Sequence, residues 1–288
     1  MTIEVTFWGV RGSIASPGET TARYGGNTPC VVLSGGRDSL LVLDAGTGIR
    51  AFGEWLTAHR PAARQVDILL SHVHWDHIQG LPFFGPLYQE GYRIDIRGPE
   101  PEGRALEDVL RQQMDPVVFP VPLALAAAEV TVEELAPGRV TVSSWTVDII
   151  RLQHPGVTFG YRVQAGIDGP SIGYVTDNEL SAGDRHGLGA GWYDGIVRKM
   201  EGVDVLVHDA MHTDAMQLER NGWGHSTPGE AVKLAMACDA KRLVLFHYDP
   251  AHDDATLDRM VEAARAQAAQ LGSALSVDGA REGQTLSL

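Results

Sequence analysis

Ser71-His72-Val73-His74-Trp75-Asp76-His77 constrains this chain more than any other stretch. Three histidines and one aspartate occupy the six positions from His72 to His77, directly after the apolar run 65–70. Such a run reads as a buried strand, and the carboxyl end of a buried strand is where open α/β layers place their sites. In extended backbone alternate side chains share a face, so His72 and His74 can reach one ion. As the chain turns toward a helix, Asp76 and His77 swing to a second point about 3.5–4 Å away, the usual separation of paired metals. Imidazole nitrogen with carboxylate oxygen suits zinc best, with manganese or iron as other candidates.

The surrounding chain is long enough to enclose such a site. It has 288 residues, of which 44% are hydrophobic, and reads as one domain over 1–288 with a large core. Lys+Arg is 23 against Asp+Glu 37, a net charge of −14. An acidic surface repels phosphate backbones, which disfavours large nucleic acid as a partner. Cys30 and Cys238 lie far apart, so neither a disulfide framework nor a cysteine-rich metal cluster is expected. The opening 1–9 alternates like a strand rather than a signal peptide, and no apolar run approaches the roughly 18–20 residues of a membrane span. The cytoplasm is the expected location, and a homodimer is allowed without being specified.

Taken in order, residues 3–8 form the first expected strand, followed by a long loop rich in glycine and small polar residues. Glycines let backbone amides approach an anion, which makes Arg11, Ser13, Asn27 and Thr28 candidate substrate contacts. A hairpin is expected over 29–34 and 39–43, turning at 35–38. It leads to Asp44 and a helix ending near residue 58. Strands are expected at 92–97, 129–134 and 140–153, with a helix at 102–113. Three prolines in 114–123 break regularity, and that segment reads either as a lid over a pocket or as core packing. His154 closes the strand 145–153 and Asp177 closes 171–176. Strand 203–207 runs into His208 and Asp209, and a helix of about ten residues follows His212. Gly224-His225-Ser226-Thr227 precedes a capping box with proline at the first helical position. His247 ends strand 241–246, and a last helix spans 253–271. Strands and helices thus alternate in two blocks, 1–150 and 150–288.

The H-x-H-x-D-H motif resembles that of the metallo-β-lactamase-fold metallo-hydrolases. The resemblance implies an α/β fold, a four-layer αββα sandwich of two mixed sheets flanked by helices, with metals at the edge where the halves meet. It implies His72, His74 and His154 on a first ion, Asp76, His77 and His247 on a second, and Asp177 bridging both. Asp44 then either orients a ligand histidine or serves as a plain turn.

The later order narrows the resemblance. A strand-end acid at Asp209, the Gly-His-Ser-Thr element, a helix and a strand-end histidine are similar to ribonuclease Z and phosphoribosyl cyclic phosphodiesterases. The Gly-Val-Arg-Gly-Ser and Gly-Gly-Asn-Thr loops look like the same branch. This likeness implies a dinuclear hydrolase of a small or cyclic nucleotide-like phosphodiester, attacked by a metal-held hydroxide. The same likeness implies that His225, backed by Asp209, protonates the leaving oxygen, with Asp76 completing the catalytic set; His212 lies near enough to Asp209 to line the pocket. Ribonuclease Z carries a tRNA-holding arm, and no such insertion is evident here. A carboxylic ester, lactone or thioester hydrolase, a ribonuclease Z-like nuclease and a non-catalytic metal-binding regulator remain the other readings.

Overall fold

Ile3, Val5 and Phe7 alternate along β1 (Ile3–Gly9), and all three are fully buried in the computed structural model. The structure describes residues 2–35, 40–183 and 185–288. From β1 the chain builds β2 (Cys30–Gly35), β3 (Leu40–Leu43), α1 (Gly48–His59), β4 (Gln65–Leu69), the one-turn α2 (Trp75–Ile78), β5 (Arg93–Pro99), α3 (Leu106–Gln113) and β6 (Glu129–Leu135). It continues through β7 (Gly138–Val142), β8 (Trp145–Arg151), β9 (Phe159–Ala165), β10 (Ser171–Val175) and α4 (Trp192–Met200). Then come β11 (Val205–Asp209), α5 (Asp214–Glu219), α6 (Pro228–Ala237), β12 (Arg242–Phe246), α7 (Asp254–Gln270), β13 (Ser276–Gly279) and β14 (Thr285–Ser287).

Two seven-stranded sheets result, in the orders β14-β1-β2-β3-β4-β5-β6 and β13-β12-β11-β10-β9-β8-β7. Both are mixed: β3 through β6 and β10 through β13 run parallel, and the remaining pairs are antiparallel. The inner faces pack on each other, with the Phe7 and Phe246 rings 6.1 Å apart and the Tyr161 hydroxyl donating to the Leu70 carbonyl at 2.5 Å. Outside the first sheet, Ile49, Phe52 and Leu56 of α1 and Leu106 and Leu110 of α3 cover Val42, Ile68 and Ile94. Outside the second, Leu234 of α6 and Leu257 and Val261 of α7 join the main core. The architecture is the four-layer αββα sandwich with two mixed sheets.

Several boundaries differ from expectation. The strand expected over 140–153 is two strands, because the chain reverses at Ser143, whose φ is +49°, and pairs β7 with β8. The division at residue 150 also shifts: β7 and β8 already belong to the second sheet, and β14 returns to pair with β1 in the first. The helix after His212 has six residues rather than about ten. α4, β9, β13 and β14 were not anticipated. Residues 36–38 of the expected hairpin turn lie outside the described residues. In 114–123, Met114 is buried while Val117 and Val118 face solvent.

The parallel strands decide where the chemistry lies. Their carboxyl ends share one edge of each sheet, and Asp44, His72, Asp177, Asp209 and His247 follow or end β3, β4, β10, β11 and β12 there. Buried on both faces, these strands are mainly apolar, with Asp67 of β4 and His208 of β11 as interior exceptions, and the residues of the centre come at their ends.

Candidate metal centre

Each strand end turns sharply into the site. Asp44, Asp177 and His247 have φ of +63°, +46° and +59°, the left-handed region that Asp and His tolerate better than most residues. The turn lets each side chain leave its strand sideways and point along the sheet edge. Gly12 lies against His247, where a Cβ would come within 2.5 Å of the ring.

Two groups of side chains converge. The ring nitrogens of His72, His74 and His154 lie within 4.8 Å of one another, and so do the ligand atoms of Asp76, His77, Asp177 and His247. Asp177 stands between them. Its Oδ2 is 3.7 Å from His72 Nε2 and 3.6 Å from His154 Nε2, and its Oδ1 is 3.2 Å from Nε2 of both His77 and His247. Asp76 Oδ2 is 3.1 Å from His247 Nε2 and accepts the Ser13 amide at 2.7 Å.

Partners behind the histidines assign their tautomers. His154 Nδ1 donates to the Gly224 carbonyl at 3.0 Å, so its Nε2 carries a lone pair. His77 Nδ1 donates to Asp44 Oδ2 at 2.8 Å. Asp44 also accepts the Ser71 amide at 2.7 Å, the Ser71 hydroxyl at 2.9 Å and the Tyr174 hydroxyl at 2.7 Å. With Ser71 donating to Asp44, its oxygen accepts His72 Nδ1 at 3.0 Å, and His72 Nε2 is buried without a hydrogen-bond partner. The outcome is a knot of ring nitrogens and carboxylate oxygens: His77 Nε2 and His247 Nε2 face each other at 3.3 Å beside the carboxylates of Asp76 and Asp177.

Electrostatics says what fills such a knot. Burial pushes His154 down to about 3, and burial with neighbouring imidazoles pushes His72 well below its ordinary value, so both are neutral donors. Burial opposes charge on His247 as well, but Asp177, Asp209 and Asp76 outweigh it and raise it to about 10. His77 is raised likewise against burial by Asp177, Asp76 and Asp44. The carboxylates thus demand positive charge where the Nε2 atoms converge. Divalent cations supply that charge, and the nitrogen and oxygen donor set fits them.

His225 borders both groups. Its Nδ1 donates to Asp209 Oδ2 at 2.7 Å, and its ring centroid lies 5.1 Å from that of His154 and 5.2 Å, stacked, from that of His247. Ring nitrogens of His225 also fall within ligand distance of His154 with Asp177 and of Asp209 with His247. Asp209 Oδ1 accepts the amides of Met211 at 3.1 Å and Ser226 at 2.9 Å, which fixes the carboxylate. Burial is outweighed by His225 and His247, and Asp209 is held well below the carboxylate range. The His212 ring is 5.4 Å from His225, with Nδ1 at 2.8 Å from Gln217 Oε1 and a buried Nε2 that has no partner.

The expected substrate loop is mostly structural. Arg11 is fully buried and donates to the carbonyls of Gly25 at 2.8 Å and His252 at 2.5 Å, so its guanidinium braces the loop and does not face a substrate. Thr28 is fully buried and accepts the Thr47 amide at 2.8 Å. Asn27 is spent on Glu282 at 2.9 Å and Thr47 at 3.0 Å. Only Ser13 of the four touches the centre, through its backbone amide.

Sequence reasoning missed Glu179. This buried carboxylate accepts the amides of Gly222 at 2.8 Å and Gly224 at 2.9 Å, and Arg185 at 3.1 Å. Gly224 is therefore held from both sides, its N–H by Glu179 and its carbonyl by His154, with φ at +90° and His154 Nδ1 occupying the space of a Cβ. Asn178, next to Asp177, accepts the Gln153 amide at 3.1 Å, and its carbonyl accepts the Ser226 hydroxyl at 2.5 Å. The spacing Asp177-Asn178-Glu179 was visible, but nothing local says that its carboxylates face different partners.

The chain is similar to known proteins in sequence and in fold. A family model described as "Beta-lactamase superfamily domain" matches residues 40–248. A Ribonuclease BN of Cronobacter sakazakii is 27% identical, covering 90% of this chain and 93% of the relative. The solved human tRNase Z, short form, has a TM-score of 0.66 at 23% identity, with 98% of each chain covered. A diphosphatase of the PhnP family has a TM-score of 0.65 at 19% identity, covering 99% of this chain and 97% of that one.

Proposed function

The chain belongs to the beta-lactamase superfamily and is a metal-dependent hydrolase, and we propose that it is a dinuclear phosphodiesterase acting on a small or cyclic nucleotide-like diester. His72, His74 and His154 would hold one ion, Asp76, His77 and His247 the other, with Asp177 between them. Zinc suits these donors best; manganese and iron are the other occupants to test. Bound divalent ions supply charge neutralisation at the phosphate and bring the pKa of a water toward 7.

The observation that carries the proposal is the pair of His225 and Asp209, 2.7 Å apart and packed against both ligand groups. Asp209 accepts the hydrogen bond from Nδ1–H and so stabilises the imidazolium, which keeps that proton. The Nε2 proton then passes to the leaving alkoxide, and solvent restores it. A phosphodiester needs this donor because its leaving oxygen is strongly basic. The His77–Asp44 and His154–Gly224 bonds keep the ligand nitrogens aimed at the centre during turnover.

A ribonuclease is the second reading, favoured by the name of the curated relative. The net charge of −14 weighs toward a small substrate. No helix among the described residues is long and apolar enough to cross a membrane. Turnover of bis-p-nitrophenyl phosphate, nitrocefin, a simple lactone, a thioester and a structured RNA separates these readings. The proposal expects the diester to be fastest among the small substrates. Lactone or thioester turnover faster by orders of magnitude replaces it with a carboxyl-ester hydrolase, and efficient RNA cleavage without small-diester activity replaces it with a nuclease.

A further inference from the structure

Asp209 ends β11 as a fully buried carboxylate. A carboxylate has about four lone-pair sites, and three donors already reach this one. Oδ1 accepts the amides of Met211 at 3.1 Å and Ser226 at 2.9 Å, and Oδ2 accepts His225 Nδ1–H at 2.7 Å. Oδ2 therefore keeps room for one more donor. His247 Nδ1 lies 3.4 Å from that oxygen. It is buried and has no hydrogen-bond partner among the described residues.

The chemistry of a ligand histidine requires a proton on that nitrogen. An imidazole that gives its Nε2 lone pair to an ion carries its proton on Nδ1, and a buried N–H needs an acceptor. The loop beside the ring offers no side chain, because Gly12 stands where a Cβ would come within 2.6 Å of Nδ1. The rings of His225 and His247 stack at 5.2 Å with planes 19° apart, and both turn Nδ1 toward the same oxygen. At 3.4 Å the second contact is looser than a hydrogen bond, and a shift of a few tenths of an ångström brings it into range.

We propose that Asp209 is a positioning residue for an ion as well as for His225. One carboxylate oxygen holds the Nδ1–H of the proton donor and the Nδ1–H of the ion ligand His247, and so fixes donor and ion relative to each other. Placement of reacting groups has to hold to about 0.5 Å, and two stacked rings hung from one oxygen share a single anchor. The proposal rests on the reading above of His247 as a ligand and His225 as the donor. Had Asp209 served His225 alone, its loss would leave ion affinity untouched.

Zinc affinity, measured by competition with a chromogenic chelator, tests this without turnover. Asp209→Asn offers one acceptor oxygen where four donors converge. One of the two zinc dissociation constants should rise roughly 10–100-fold, the usual cost of removing the acceptor behind a ligand histidine. His225→Ala should keep both constants, and Asp209→Asn should cause the same rise when added to His225→Ala. Excess zinc should return nitrophenyl-diester turnover in Asp209→Asn to about that of His225→Ala, while alkyl-diester turnover stays low. Unchanged constants in an Asp209→Asn that circular dichroism shows to be folded overturn the proposal. So does a rise that vanishes in the His225→Ala background, since Asp209 then acts only through His225.

A second variant reads the contact without touching Asp209. His225→Phe keeps a stacked ring and removes the competing N–H. In the zinc-loaded, histidine-labelled protein the His247 Nδ1–H resonance should then move downfield, because Oδ2 serves one donor instead of two. A resonance that stays in place overturns the proposal. Weaker zinc binding in Asp209→Asn, with no diester hydrolysed by the wild type, sinks the phosphodiester reading and leaves the shared carboxylate standing. Diester hydrolysis by a two-ion wild type, with both constants unchanged in Asp209→Asn, sinks the shared carboxylate alone.

Discussion

Two histidines in the last third of the chain have different partners and so different predicted losses. His247 Nε2 faces Asp76 at 3.1 Å and Asp177 at 3.2 Å, inside the knot of nitrogens and carboxylates. His225 spends Nδ1 on Asp209 and stacks outside that knot. His225→Ala is expected to keep both ions and lose roughly 10²-fold or more in kcat on alkyl esters, the usual scale for removing a general acid. The loss should shrink with p-nitrophenol as leaving group, which needs little protonation. His247→Ala is expected to lose one ion and activity on every substrate. Metal analysis beside kinetics on paired alkyl and nitrophenyl diesters checks both. If His225→Ala loses an ion while His247→Ala keeps two, the roles are exchanged. At this scale the side chains that converge at the centre were readable from the sequence, because the motif packs four of them into six consecutive positions. Arg11, Asn27 and Thr28 were misread because a glycine-rich loop does not reveal which way its polar side chains face. In the structure Arg11 donates to the Gly25 carbonyl, Thr28 accepts the Thr47 amide, and Asn27 bonds the side chains of Glu282 and Thr47.

The turn after β10 and the loop before α6 behave as one unit, joined by Glu179. Glu179→Gln keeps the size of the side chain but offers one acceptor where two amides and Arg185 now bind. A buried donor left unsatisfied costs about 1–3 kcal/mol, so the melting temperature should fall. The kcat loss should be larger on alkyl than on nitrophenyl esters, because the loop carries His225. Equal losses on both substrates would mean that Glu179 only supports the fold. β8 gives an element-scale prediction on pH. Asp148 is held below the ordinary carboxylate value by Arg139, at 2.8 Å and 3.0 Å, and by Lys199 at 3.0 Å. A carboxylate with a lowered folded-state pKa contributes stability above its unfolded value and loses it as pH falls through the folded one. Urea denaturation should show Asp148→Asn less stable than wild type at pH 7, with the gap closing below the ordinary carboxylate range. A gap independent of pH contradicts this. Parallel strands such as β4, β11 and β12 were legible as mainly apolar runs. The break at Ser143 and the short edge strands β13 and β14 were not, since they depend on pairing with distant chain.

For the whole molecule, the order of strand-end residues carried the fold reading, while the sheet assignment of the ends required three dimensions. β14 crosses back to β1, and β7 starts the second sheet before the expected midpoint, so the two halves interlock. That interlock brings His72, His74, Asp76 and His77 from the first sheet against His154, Asp177 and His247 from the second. Neither sheet alone offers a full donor set for two ions, and Asp177 faces both groups with its two oxygens. A dinuclear centre therefore stands or falls on ion stoichiometry. Elemental analysis of protein purified without chelator and reconstituted with zinc should find close to two ions per chain, falling by at least one in Asp177→Ala. One ion or none in the reconstituted wild type, or two retained in Asp177→Ala, would contradict a dinuclear centre assembled between the sheets.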